Sequence, residues 1–147
     1  KETLYQFYMA NLSRVNNWNL VDASAHLILG AHLWDKDRAI LLTLVRSESL
    51  WDRRIAIVAT WYFISNDDLL WTFTLARILL NDQQDLMHKA AGWMLREAGE
   101  RNKPALCSFL DEHATVMPRT MLRYSIEKFP EPIRKDYLAR RTVVSKK

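Results

Sequence analysis

Four stretches of the chain carry residues whose types and spacing could do chemistry together. Trp18 and Asp22 stand four apart; Trp51, Arg53 and Arg54 follow; then His88, Lys89, Trp93 and Arg96; then Arg119 and Arg123, again four apart. Residues four apart share one face of a helix. If the four helices line one side of the molecule, that side carries a basic stripe with tryptophans set among the cations. Arginine suits phosphate because its planar fork donates paired hydrogen bonds. Tryptophan offers a flat apolar surface to a sugar or base and attracts a cation to its face. Asp22 is the one acid within this positive surround.

Each feature also has a plainer reading. Tryptophans on packed helices are more often core than ligand contacts, and Trp34, Trp61 and Trp71 are read that way. Arginines on helices are usually solvated or paired with a nearby acid, for which Asp52 and Glu97 are at hand. An aspartate near a helix start often does no more than offset the helix dipole. On residue types and spacing alone, a helical scaffold for a protein partner stands slightly ahead.

The elements that must position these residues are helices. Apolar positions recur at helical spacing, as in Leu20 and Leu27 or Ile40, Leu41 and Leu44. The pattern predicts helices over residues 2–12, 17–31, 35–45, 49–64, 67–80, 83–99, 103–113, from 117 to before Pro130, and 131–140. Asn17 is a good N-cap, Gly99 a C-cap glycine, and Pro104 and Pro118 fit the first turns of their helices. The even-numbered helices start near residues 17, 49, 83 and 117, a period of about 32 to 34, within the range of helix-pair repeats. Short connections force antiparallel neighbours, and a pair this size buries its apolar face only by stacking on the next. The expected fold is all-α, a HEAT-like α-solenoid of antiparallel helix pairs with a concave basic face, in a single domain over residues 1–147.

Composition narrows the function further. The 147 residues are 49% hydrophobic, with only 3 glycines and 4 prolines, which suits a helical core and argues against disorder. A net charge of +4 permits a polyanionic partner without demanding one. Cys107 is the only cysteine, so an internal disulfide and a cysteine-rich metal site are excluded; its apolar setting marks it as a core thiol. His26, His32, His88 and His113 lack metal-ligand spacing. No dinucleotide, P-loop or nucleophile-elbow motif occurs. No apolar run or leader pattern suggests a membrane or secretory signal, so a cytoplasmic setting is expected. The chain starts at Lys1 and enters a helical pattern almost at once, as expected for the C-terminal portion of a longer protein.

Three blocks carry a resemblance. Residues 51–57 (WDRRIAI), 89–97 (KAAGWMLRE) and 117–128 (MPRTMLRYSIEK) resemble the DNA alkylation repair family of HEAT-like-repeat alkylpurine DNA glycosylases. The middle block is the most specific, and the resemblance runs from about Trp18 to Tyr137. It implies that Asp22 is the catalytic carboxylate, that Trp18 and Trp93 flank the lesion nucleotide, and that Arg54 helps hold the DNA beside them. Arg53, Lys89, Arg96, Arg119 and Arg123 are candidates for phosphate contact by helix position, with Arg96 beside Glu97 the first suspect for a structural role. The implied reaction is hydrolysis of the N-glycosidic bond of N3- or N7-alkylated purines in duplex DNA, without a base-flipping pocket, cofactor or metal, by a monomer. A non-catalytic binder of DNA structure on the same fold is the nearest rival. The chain departs from the family in starting shortly before the proposed catalytic helix, and in flanking Trp18 with the polar Asn17 and Asn19.

Overall fold

The computed structural model describes residues 2–14 and 18–140, with the side chains of Ser13 and Trp18 outside that description. Every regular element among them is helical: α1 (Glu2–Ala10), α2 (Trp18–Ala25), α3 (Ala31–Leu33), α4 (Ile40–Val45), α5 (Leu50–Ser65), α6 (Leu70–Leu79), α7 (Asp85–Arg101), α8 (Lys103–His113), α9 (Arg119–Ser125) and α10 (Glu131–Ala139). A π-helical segment, His26–Gly30, joins α2 to α3 without a break. No described helix is long and apolar enough to cross a membrane.

The sequence of α5 explains its central position. From Arg54 to Thr60 every residue is buried; Ile55 to Ala59 are apolar all round, and such a stretch must be surrounded. Its neighbours are α2 with the π segment, α4, α6 and α7. The helices that carry the candidate residues pack in order, α2 on α5, α5 on α7, α7 on α9, while α6 lies against α4, α5 and α7 and α8 lies against α7. This is the neighbour pattern that stacked helix pairs produce. Ser49 caps α5, its hydroxyl accepting from the amide of Asp52 at 3.4 Å.

Several helix boundaries differ from expectation for local reasons. The helix foreseen over 35–45 begins only at Ile40: the Asp37 side chain accepts from the Ala39 amide at 2.8 Å and holds the preceding residues in a turn. The helix foreseen from 67 begins at Leu70, since Asp67 adopts a positive φ of 65°. Gly99 is no C-cap. The helix runs on to Arg101, and Asn102 ends it while capping α8, accepting from the Ala105 amide at 3.1 Å. Gly99 serves packing instead: a Cβ there would lie 2.3 Å from Cδ2 of Leu106.

Gly92 has the same origin and a larger consequence. A Cβ on it would come within 2.5 Å of the Tyr124 Cβ and 2.7 Å of the Met121 carbonyl. The missing side chain lets α9 lie directly on α7, and so brings Tyr124 to the edge of the site.

A candidate active site around Asp22

Arg54 lies on the most enclosed stretch of α5 with only 7% of its side chain exposed. A buried guanidinium must be paired and hydrogen-bonded. Its Nε donates to Asp22 Oδ1 at 3.1 Å, one Nη to Asp22 Oδ2 at 3.0 Å, and the other to the Leu86 carbonyl at 2.8 Å. One side chain thus joins α2, α5 and the first turn of α7. The fork fixes the plane of the carboxylate. Each carboxylate oxygen retains acceptor capacity, and Asp22 keeps 23% of its side chain exposed.

Asp22 and Arg54 stand at the wall of an open cavity of about 560 Å³, completed by Leu86, Lys89, Trp93, Arg96 and Tyr124. Its volume falls in the range of small-ligand sites. The Trp93 indole meets Trp61 edge-on at 4.9 Å, and Trp61 in turn meets the His26 imidazole at 4.4 Å. This row backs the aromatic wall. His26 follows Asp22 by four residues and opens the π segment, a helix irregularity common at functional sites. Burial pushes its imidazole below the ordinary value, while the Asp22 charge pulls the other way. Its Nδ1 is buried without a hydrogen-bond partner.

The remaining cations separate into two groups. Lys89 lines the cavity, about half exposed, with Asp85 at 3.5 Å. Arg96 also lines it, held by the Glu127 carboxylate and, more loosely, by Glu97 at 3.9 Å. Arg53, one residue before Arg54, points elsewhere. Its Nε donates to Asp82 at 2.7 Å and its Nη1 to the carbonyls of Ser47 and Glu48, both at 3.1 Å. With Asp82 only 6% exposed, Arg53 ties two loops together and does not line the Asp22 cavity. Arg119 donates to the Leu138 carbonyl, and Arg123 lines a separate cleft with Ile126, Glu127, Arg134 and Leu138. Both face α10, away from the lining of the Asp22 cavity.

Of the residues singled out by sequence, Asp22, Arg54, Lys89, Trp93 and Arg96 therefore meet at one cavity. Trp18 opens α2, with its side chain outside the described residues. Tyr124, Trp61 and His26 join this region without a signal in residue spacing. Tyr124 lies inside the block 117–128, where the arginines are the more conspicuous feature, and Trp61 packs in part against the core. Only the pairing of α2 with α5 gives His26 a place in the site. Among the described residues, no group of three or more His, Cys, Asp or Glu side chains is placed to hold a metal ion.

The fold and site define an all-helical protein with an arginine-clamped carboxylate at an aromatic, cation-rimmed cavity. A family profile described as DNA alkylation repair enzyme matches residues 1–129, and the chain belongs to that family. No curated protein and no solved structure matches it.

Proposed function

We propose that the protein is a monofunctional DNA glycosylase that releases N3- or N7-alkylated purines from duplex DNA. The observation that carries this reading is the fixed Asp22 carboxylate beside Trp93 in an open cavity with Lys89 and Arg96 on its wall. An alkylated purine bears a formal positive charge and leaves readily. Its departure generates an oxocarbenium-like sugar. A carboxylate close to that sugar stabilises the cation and orients the attacking water, as in sugar hydrolysis generally. The faces of Trp93 and Tyr124 favour positive sugar and base electrostatically. Lys89 and Arg96 supply charge to flanking phosphates. Openness suits a grip on the backbone that leaves the base unpocketed, and so tolerance of bulky adducts.

Arg54 has a different role here from a phosphate clamp: it presents Asp22 in a set orientation. The same pairing supports a second reading, in which the Asp22–Arg54 bridge only joins α2 to α5 and the protein recognises DNA structure without cutting. Incubation with methylated duplex DNA, followed by alkaline cleavage and borohydride trapping, distinguishes them. The glycosylase reading expects free alkylated base and alkali-labile abasic sites with no trapped protein–DNA adduct. Duplex binding without base release supports the second reading. A borohydride-trapped adduct would contradict the monofunctional assignment and turn attention to Lys89.

A further inference from the structure

Most described cations face a carboxylate. Lys36, Arg38, Arg53, Arg54, Lys89, Arg96, Arg101, Lys135 and Arg140 all have acidic partners within 4 Å. Lys103 and Lys128 do not pair in this way among the described residues, yet both line one cleft. That cleft, about 300 Å³, is formed by Arg96, Gly99, Glu100, Lys103, Leu106, Ser125, Lys128 and Phe129. Its lining holds three cations against one acid. Lys103 is not loose: its ammonium rests over the Phe129 ring at 5.0 Å from the centroid, a contact that fixes its direction. It also opens α8, whose first turn adds partial positive charge.

Arg96 lines this cleft and the Asp22 cavity alike. Lys89 and Arg96 are seven residues apart on α7 and so share a face, about 10 Å apart along the helix. Lys103 stands one further heptad along the chain, just beyond the end of α7. The Glu127 partner of Arg96 is itself 60% exposed, and the Arg96 Nε is buried without a partner. Arg96 already faces Glu127 and Glu97, so the cations of this cleft that lack an acidic ion-pair partner among the described residues are Lys103 and Lys128, and an anion entering it would meet both.

We propose that Lys103 and Lys128, adjoining Arg96, form a second anion site that takes a backbone phosphate of the duplex beyond the lesion. The inference rests on the glycosylase reading for its ligand and extends the DNA footprint from the Asp22 cavity along α7 to the start of α8. Lys103 and Lys128 act in binding and not in chemistry, because neither lines the cavity that holds Asp22.

The test measures affinity for an unmodified duplex across a salt series for the wild-type chain, Lys103→Gln/Lys128→Gln, and a control, Lys36→Gln, whose lysine pairs with the adjacent Asp35 and lines neither cavity. Excision from methylated duplex at saturating protein is followed in parallel. Each lost phosphate contact lowers the slope of log affinity against log salt by about 0.9. The double variant, having lost one phosphate contact, is expected to lose about 0.9 from the slope and to bind on the order of tenfold more weakly at low salt. Its saturated excision rate should match the wild type, and Lys36→Gln should leave the slope unchanged. Both lysines are exposed, so the fold survives their replacement. A wild-type slope in the double variant, in a protein that binds and excises, overturns the second site alone. Failure of the wild type to bind duplex at low salt overturns the glycosylase reading as well.

Discussion

Arg54 holds both oxygens of Asp22, at 3.1 and 3.0 Å, from a position 32 residues further along the chain. The same guanidinium reaches the Leu86 carbonyl on α7, so the carboxylate is oriented by the junction of three helices. Replacing Arg54 with Lys keeps one charge but loses the fork. Arg54→Lys should lower stability by about 2 to 4 kcal/mol, since a partly buried carboxylate loses half its partners. Urea unfolding measures it, and an unchanged midpoint would show that the clamp contributes nothing.

Arg53 offers the opposite expectation from its neighbour. Its donors go to Asp82 and to two loop carbonyls. Arg53→Ala should cost about 3 kcal/mol by stranding the buried Asp82, yet leave the salt slope of DNA binding at the wild-type value. A slope reduced by about 1 would place Arg53 on phosphate after all.

Much of this arrangement is legible in sequence, but not the partners of its charges. The repeat of helix starts and the Pro104 start follow from local rules, and α8 has the foreseen bounds. Sequence proximity offers Asp52 and Glu97 as carboxylates for the arginines. Asp52 instead accepts from the Ser47 hydroxyl at 2.9 Å, and Arg96 turns mainly to Glu127 in the turn that follows α9. Partners about thirty residues away are set by how helices stack, which no local pattern encodes. The same holds for Gly99, whose glycine signal was real but answered to Leu106 and not to a helix end. The π segment leaves no mark in residue types.

Gly92 belongs to the most specific sequence block, and its role is steric. Gly92→Ala would put a methyl group against the Tyr124 Cβ and the Met121 carbonyl, neither of which yields without moving α9. The gain in helix propensity, about 1 kcal/mol, is outweighed. A net loss of about 1 to 3 kcal/mol is expected from forcing a packed interface apart. Gly99→Ala meets the Leu106 side chain, which can shift its rotamer, and should cost less. Thermal melts of the two variants compare them directly; the reverse order would contradict the close packing of α7 on α9.

Trp61 backs Trp93 from the far side. Trp61→Leu preserves apolar volume in part but removes the edge-on contact. The base-release rate should fall roughly tenfold through a misplaced Trp93, while duplex affinity, carried by phosphate contacts, stays near wild type. Equal losses in rate and affinity would point to general unfolding.

His26 and His113 both sit below their ordinary value of 6.5, each because burial disfavours the charged form. The unfolded chain therefore takes up protons first as pH falls. Stability is fully present above about 6.5 and is lost as pH drops from there through the folded values. The urea midpoint should fall between about pH 7.5 and about pH 5.5, and less so in His26→Gln/His113→Gln. Asp111, held down by hydrogen bonds from Arg140 and Tyr137, acts only below its ordinary 3.8 and does not contribute in that window. A midpoint that rises on acidification would reverse the assignment.

The central claim is that Asp22 does the chemistry at this cavity. Single-turnover release of 7-methylguanine from methylated duplex, compared between the wild-type chain and Asp22→Asn with duplex affinity measured alongside, tests it most directly. The amide keeps one acceptor for Arg54 but removes the charge that faces the developing sugar cation. Release slowed on the order of a hundredfold or more, with duplex binding retained, is the predicted result. Equal release by both proteins would contradict the claim and leave Asp22 as a bridge between two helices.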